Sequence, residues 1–236
     1  MNEKFVAVGA IWYLAFLLST VCHEAAHALV AHWGGDSTAF HGGQVTLDPL
    51  PHIRREPVGT IAAPILSYIF AHWMIGWASA PYDPAWQKRH PRRAAWMALA
   101  GPAANFILAL LAAAAIHVGM AAGIFREPVS IAASYTNITE AAAPGLAGFA
   151  AVFLSVLFVL NVLLGTFNLI PVPPLDGNTG ITVFMGRERA LRFIDWTHSQ
   201  LFGMAGILLA WVLYDKVFDF IFRLSLAALY PGTRWG

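Results

Sequence analysis

Apolar residues in this chain gather into long unbroken runs instead of alternating or returning every three or four positions. Four such runs, Phe5 to about Trp33, Val58 to Trp77, Ala94 to Ala122 and Phe149 to Ile170, are each long enough as a helix to reach across a bilayer core of ~30 Å. A fifth, Leu201 to Tyr214, is shorter. Helices that are apolar on every side belong in a large core or in lipid. The pattern therefore predicts an all-α membrane protein, a polytopic transmembrane helix bundle. The polar breaks are too short for an appended soluble domain, and no internal repeat is visible, so residues 1–236 read as a single membrane domain.

Two stretches depart from the pattern. Between Asp36 and Pro57, Gly34-Gly35 and Gly42-Gly43 surround the alternating run Gln44-Val45-Thr46-Leu47, which favours a small β-hairpin or loop near the membrane surface. Asp215 to Tyr230 mixes charges with apolar residues, as an interfacial amphipathic helix or an extension of the fifth helix would.

Composition strengthens the membrane assignment. With 58% hydrophobic and 11% charged residues, the chain has too few charges to cover a soluble globule, so the lipid bilayer is its first partner. The 14 Lys and Arg leave a net charge of +1 and are scattered between apolar runs, which excludes a nucleic-acid partner. The single cysteine, Cys22, forms no intramolecular disulfide and reads as a small buried residue. The N-terminal run lacks a basic flank and a small-residue cleavage site, and is expected to be retained. Nothing in the sequence sets an oligomeric state.

Candidate chemistry lies inside the first run, at His23-Glu24-Ala25-Ala26-His27. On a helix the i, i+4 spacing sets both imidazoles on one face about 6 Å apart, within reach of one metal ion. Glu24 lies beside them as a candidate general base. An ionisable residue at membrane depth is costly and marks a functional site by default. Two neutral imidazoles are one ligand short of a catalytic zinc site. The third candidate is Asp176, in Asn168-Leu169-Ile170-Pro171-Val172-Pro173-Pro174-Leu175-Asp176-Gly177. Its prolines remove backbone donors and break the helix, which a membrane tolerates only against protein or a cavity. A proline-rich surface turn ending in Asp-Gly is the plainer reading of that stretch by itself. His32, His41, His52, His72, His90, His117 and His198 show no such spacing and read as structural or surface groups.

These residues resemble the site-2 protease family of intramembrane zinc metalloproteases, which carry a His-Glu-x-x-His helix and a later Leu-Asp-Gly motif, here Leu175-Asp176-Gly177. Gly101-Pro102-Ala103-Ala104-Asn105 is similar to the family's Gly-Pro-x-x-Asn element, and Asn168 to the asparagine before its proline-rich break. Leu47 to His52, Gly59-Thr60, Pro64 and Gly76-Trp77-Ala78 resemble a compact bacterial and archaeal subgroup without a PDZ or CBS domain, although Ile53 to Pro57 is more charged than expected. The resemblance implies one Zn²⁺ per chain on His23, His27 and Asp176, with Glu24 catalytic and Asn168 and Asn105 in substrate-binding or supporting roles. It implies cleavage of a membrane-embedded protein substrate, a core at about 5–185 with additional C-terminal helix at 199–230, and a prokaryotic inner membrane. The Gly-rich stretch from Gly34 to Leu47 is a candidate edge for an unwound substrate strand, or a plain connecting loop. A non-proteolytic zinc-binding membrane scaffold is the alternative, disfavoured because a structural site does not need Glu24. A di-iron hydroxylase would need clustered histidines, including an adjacent pair, and has none here.

Depth then constrains topology. His23 lies roughly 27 Å along its helix from Phe5, and Asp176 just past the exit of the fourth segment, so the two helices must run the same way. A fully crossing Val58 to Trp77 would put Asp176 on the opposite face, so this segment is expected to be re-entrant or bent. Arg54, Arg55, Lys88, Arg89, Arg92, Arg93, Arg187, Arg189 and Arg192 then share one side, which the positive-inside rule makes cytoplasmic, with the metal near that face.

Overall fold

The computed structural model describes residues 2–129, 135–197 and 200–233. His198 lies outside them. Three helices among the described residues are long and apolar enough to cross a membrane: α1 (Glu3–Trp33), α6 (Pro91–Ala121) and α7 (Leu146–Asn168). Shorter elements join them: α2 (Thr38–His41), α3 (Pro49–Arg55), a π turn (Val58–Ala62) leading into α4 (Ala63–Ala71), and α5 (Pro84–Arg89). Two-residue strands β1 (Phe125–Arg126) and β2 (Glu140–Ala141) pair antiparallel between α6 and α7. After the proline-rich break come α8 (Asp176–Gly180), a 3₁₀ turn (Ile181–Phe184), α9 (Arg187–Thr197) and α10 (Gln200–Leu229). The stretch after Tyr214 thus extends the fifth helix.

The three long helices pack on one another through small residues. Ala15 and Ala28 on α1 and Ala94, Ala98 and Ala112 on α6 are buried, with Phe16, Ile116 and Leu160 filling the remaining space. Lipid is as apolar as these side chains, so close backbone approach and interhelical hydrogen bonds hold such helices together. Those bonds also give the directions. Met97 and Asn105 of α6 meet His27 and His23 of α1 in reverse order, so α6 runs antiparallel to α1. Asn161 of α7 bonds Ser19, and Asp176 beyond it meets His23 and His27, so α1 and α7 run parallel.

The second apolar segment does not cross. Its helical part, Val58–Ala71, is too short for a span, and the chain reverses at His72, which takes a left-handed conformation with φ 57°. Ser67 Oγ accepts from the Ile75 amide at 2.9 Å, and the Trp77 amide donates to the Gly59 carbonyl at 3.1 Å. The two ends of the segment are therefore neighbours. A Cβ on Gly59 would collide with Trp77, and one on Gly76 with the Gly59 carbonyl and Phe16, so this doubling back needs glycine at both positions.

The stretch from 36 to 57 is a loop carrying two short helices, and the alternating run at Gln44 to Leu47 forms no hairpin. Asp48 caps α3 by accepting from the Leu50 amide at 2.9 Å, with Pro49 opening the helix. An acidic cap followed by proline starts a helix whatever the alternation before it.

Candidate active site

His23, Glu24 and His27 are all buried on α1, although Glu24 and His23 open onto a cavity. Asp176 opens α8 directly after the break, and its ligand atom lies within 4.8 Å of those of both histidines. Nε2 of His23 is 3.0 Å from Nε2 of His27 and 3.0 Å from Asp176 Oδ2; the His27 to Asp176 distance is 3.3 Å. The structure thus gathers three of the expected residues from positions more than a hundred apart in the sequence.

The opposite ring nitrogens settle what these three atoms carry. Nδ1 of His27 donates to the Met97 carbonyl at 2.8 Å, and Nδ1 of His23 lies 2.6 Å from Asn105 Oδ1. Both partners are acceptors, so each Nδ1 holds a proton, and in the neutral ring each Nε2 presents a lone pair. Asp176 Oδ2 has no hydrogen-bond donor, though it is buried. With both rings neutral, three lone-pair atoms at 3.0–3.3 Å repel one another unless a cation sits among them. The donor set of two neutral imidazoles and one carboxylate suits Zn²⁺.

Gly101 lets α6 pass over this group. A Cβ there would collide with Nε2 of both histidines. Asn105, four residues on, is fully buried and so supports His23 from behind without reaching the cavity. Asn168 does line the cavity, with its Nδ2 donating to the Leu164 carbonyl of its own helix at 3.0 Å.

The cavity is about 580 Å³ and runs from Glu24 and Asp176 past Asn168 and Tyr214 to the returning limb, Trp73 to Ser79. The sequence reading had Gly76-Trp77-Ala78 only as part of the resemblance and gave the limb no place at the cavity; Ser19 and Asn161 it did not single out. The limb's irregular backbone belongs to an apolar run that reads as helix. A signal for Ser19 and Asn161 was present: each is a polar residue within a mostly apolar span.

Fold and site together define a polytopic helical membrane protein with a triad that could hold a metal ion, His23, His27 and Asp176, and an adjacent carboxylate facing a cavity between its helices. The chain belongs to peptidase family M50, whose family model matches residues 11–213. Among curated relatives, it is 32% identical over 165 residues to YwhC of Bacillus subtilis strain 168, covering 70% of this chain and 64% of that protein. It is 31% identical over 177 residues to Rip2 of Mycolicibacterium smegmatis, covering 74% of this chain and 57% of that protein. Each relative is by name a candidate zinc metalloprotease. The chain therefore spans less than two thirds of the length of either. No solved structure matches it.

Proposed function

We propose that this chain is an intramembrane zinc metalloprotease of the site-2 type, which hydrolyses a peptide bond of a transmembrane substrate. The observation that carries the reading is the convergence of His23 Nε2, His27 Nε2 and Asp176 Oδ2 beside Glu24 and an open cavity. These three groups would hold one Zn²⁺ per chain, which when bound would supply a Lewis acid for activating water and polarising the scissile carbonyl. Glu24 takes a proton from the attacking water and delivers it to the leaving amine. Asn168 borders the same cavity, and in this reading its amide bonds a substrate backbone.

A helical substrate must unwind before its peptide bonds are reachable, and its freed backbone groups then need partners. The returning limb offers them. On its odd-numbered residues, backbone groups are engaged within the protein: Ile75 with Ser67, Trp77 with Gly59, and the Ser79 carbonyl with Gln44. No hydrogen bond among the described residues reaches the backbone of Gly76 or Ala78. The substrate strand pairs with this edge, a role the sequence reading had offered to Gly34 to Leu47. That earlier stretch is instead folded on α2 and turns.

Residues 1–236 act as a single domain in a prokaryotic inner membrane, with the site near the cytoplasmic face where the basic residues gather. The test is Glu24→Gln in a membrane-protein proteome. Zinc content and folding should match the wild type while one truncated single-span protein accumulates uncleaved, with turnover down at least ~100-fold. Unchanged cleavage would defeat the protease reading.

A further inference from the structure

His27 and His23 hold their ring protons against acceptors of different kinds. The Met97 carbonyl facing His27 can only accept, so backbone alone settles that tautomer. His23 faces a carboxamide, whose oxygen and amino ends are nearly the same size and could exchange by a half-turn of Asn105. Something else must hold that amide.

We propose that Asn161 is a positioning residue that, acting through Asn105, locks His23 in its Nδ1–H tautomer and so keeps Nε2 bare for the metal. The inference rests on the zinc reading above. Asn105 Nδ2 donates to Asn161 Oδ1 at 2.8 Å and points at the Ser19 carbonyl at 3.5 Å. Both are acceptors, so a flipped Asn105 would oppose oxygen to oxygen at each. Asn161 is fixed in the same way, because its Nδ2 donates to the Leu157 carbonyl and to Ser19 Oγ, both at 2.8 Å. The single Ser19 proton goes to the Ala15 carbonyl at 2.6 Å. Every donor on Ser19, Asn161 and Asn105 is thereby spent in one direction, and the only acceptor left for the His23 proton is Asn105 Oδ1.

The setting makes the relay necessary. Ser19, Asn105 and Asn161 are each 0% exposed, one from each long helix, so no water is at hand to take over a lost bond. Ser19 lies one helical turn from His23 on the same face, which puts the relay directly beneath the triad. Three polar side chains in three apolar helices would be an expensive way to achieve packing alone.

The test uses the full-length protein purified in detergent. Asn161→Leu keeps the volume but removes the acceptor that orients Asn105, and the apparent zinc Kd, read by chelator competition, should rise about 10–100-fold. In ¹⁵N imidazole spectra of metal-free wild type, His23 should carry its proton on Nδ1, and in Asn161→Leu the Nε2–H form should appear. Asn161→Asp, a neutral acid in these apolar surroundings with a carbonyl acceptor and one donor, should stay within a few-fold of wild type. A folded Asn161→Leu with wild-type Kd overturns the relay alone, and a loss in Asn161→Asp equal to the leucine variant's assigns the effect to packing and overturns it too. Should the leucine variant fail to fold, the wild-type spectrum still decides: a His23 ring with no proton on Nδ1 overturns the proposal. A wild-type protein that binds no zinc overturns the metal reading and this inference with it.

Discussion

Gly101 shows how narrowly the site is drawn at the scale of single residues. Alanine normally stabilises a helix interior by roughly 1 kcal/mol over glycine. Here the added methyl would strike both imidazoles, and the overpacking costs on the order of 1–3 kcal/mol at the triad itself. Gly101→Ala is therefore expected to lose zinc and proteolysis while the thermal transition of the bundle moves little, read by metal analysis and melting side by side. The His-Glu-x-x-His spacing was legible from sequence because a single helix carries it. Asp176 was legible through the proline break that presents it. Asn105 is placed behind His23, in support of it, and out of reach of the cavity. The partners of Ser19 and Asn161 were not legible, because a polar residue within an apolar helix does not say which neighbouring helix it faces.

Between residue and molecule, the returning limb from Trp73 to Ser79 is the element that gives the cavity its second wall. Its apolar composition reads as a span, yet the ends of the segment meet at Gly59 and Trp77. If a substrate strand pairs with this limb, removing one free amide should weaken binding without touching the metal. Ala78→Pro is expected to raise KM several-fold for a single-span substrate at unchanged zinc content and with little change in kcat. An equal fall in kcat with KM untouched would point away from strand pairing. The loop from 36 to 57 teaches the opposite lesson about local patterns. Alternation at Gln44 to Leu47 suggested strands, but a hairpin needs a partner strand, and Asp48-Pro49 starts a helix where that partner would lie.

For the molecule as a whole, the parallel run of α1 and α7 and the antiparallel α6 follow from which residues share hydrogen bonds. With α1, α6 and α7 crossing and a doubled-back segment between the first two, position 85 lies on the side of the triad and position 135 on the other. Reporter fusions at these two positions should report opposite sides of the membrane, with position 85 cytoplasmic. Finding either loop on the reverse side would sink this topology. The charge pattern agrees, since Lys88, Arg89, Arg92 and Arg93 all precede or open α6 at the end where Met97 meets His27.

Sequence alone determined the membrane setting, the helical class, the His23, Glu24 and His27 group, and the need for a third ligand at the same depth. These rest on composition and on spacing within one helix, both of which are local. It even required the second segment to turn back, because covalent order and helix rise leave no other way for Asp176 to reach the histidines. Tertiary structure decided which atoms face one another: the bare Nε2 pair, the glycine that clears them, the relay behind His23, and the free edge beside the cavity. Those features depend on groups brought together from separate elements, and their hydrogen-bond direction exists only once these are packed.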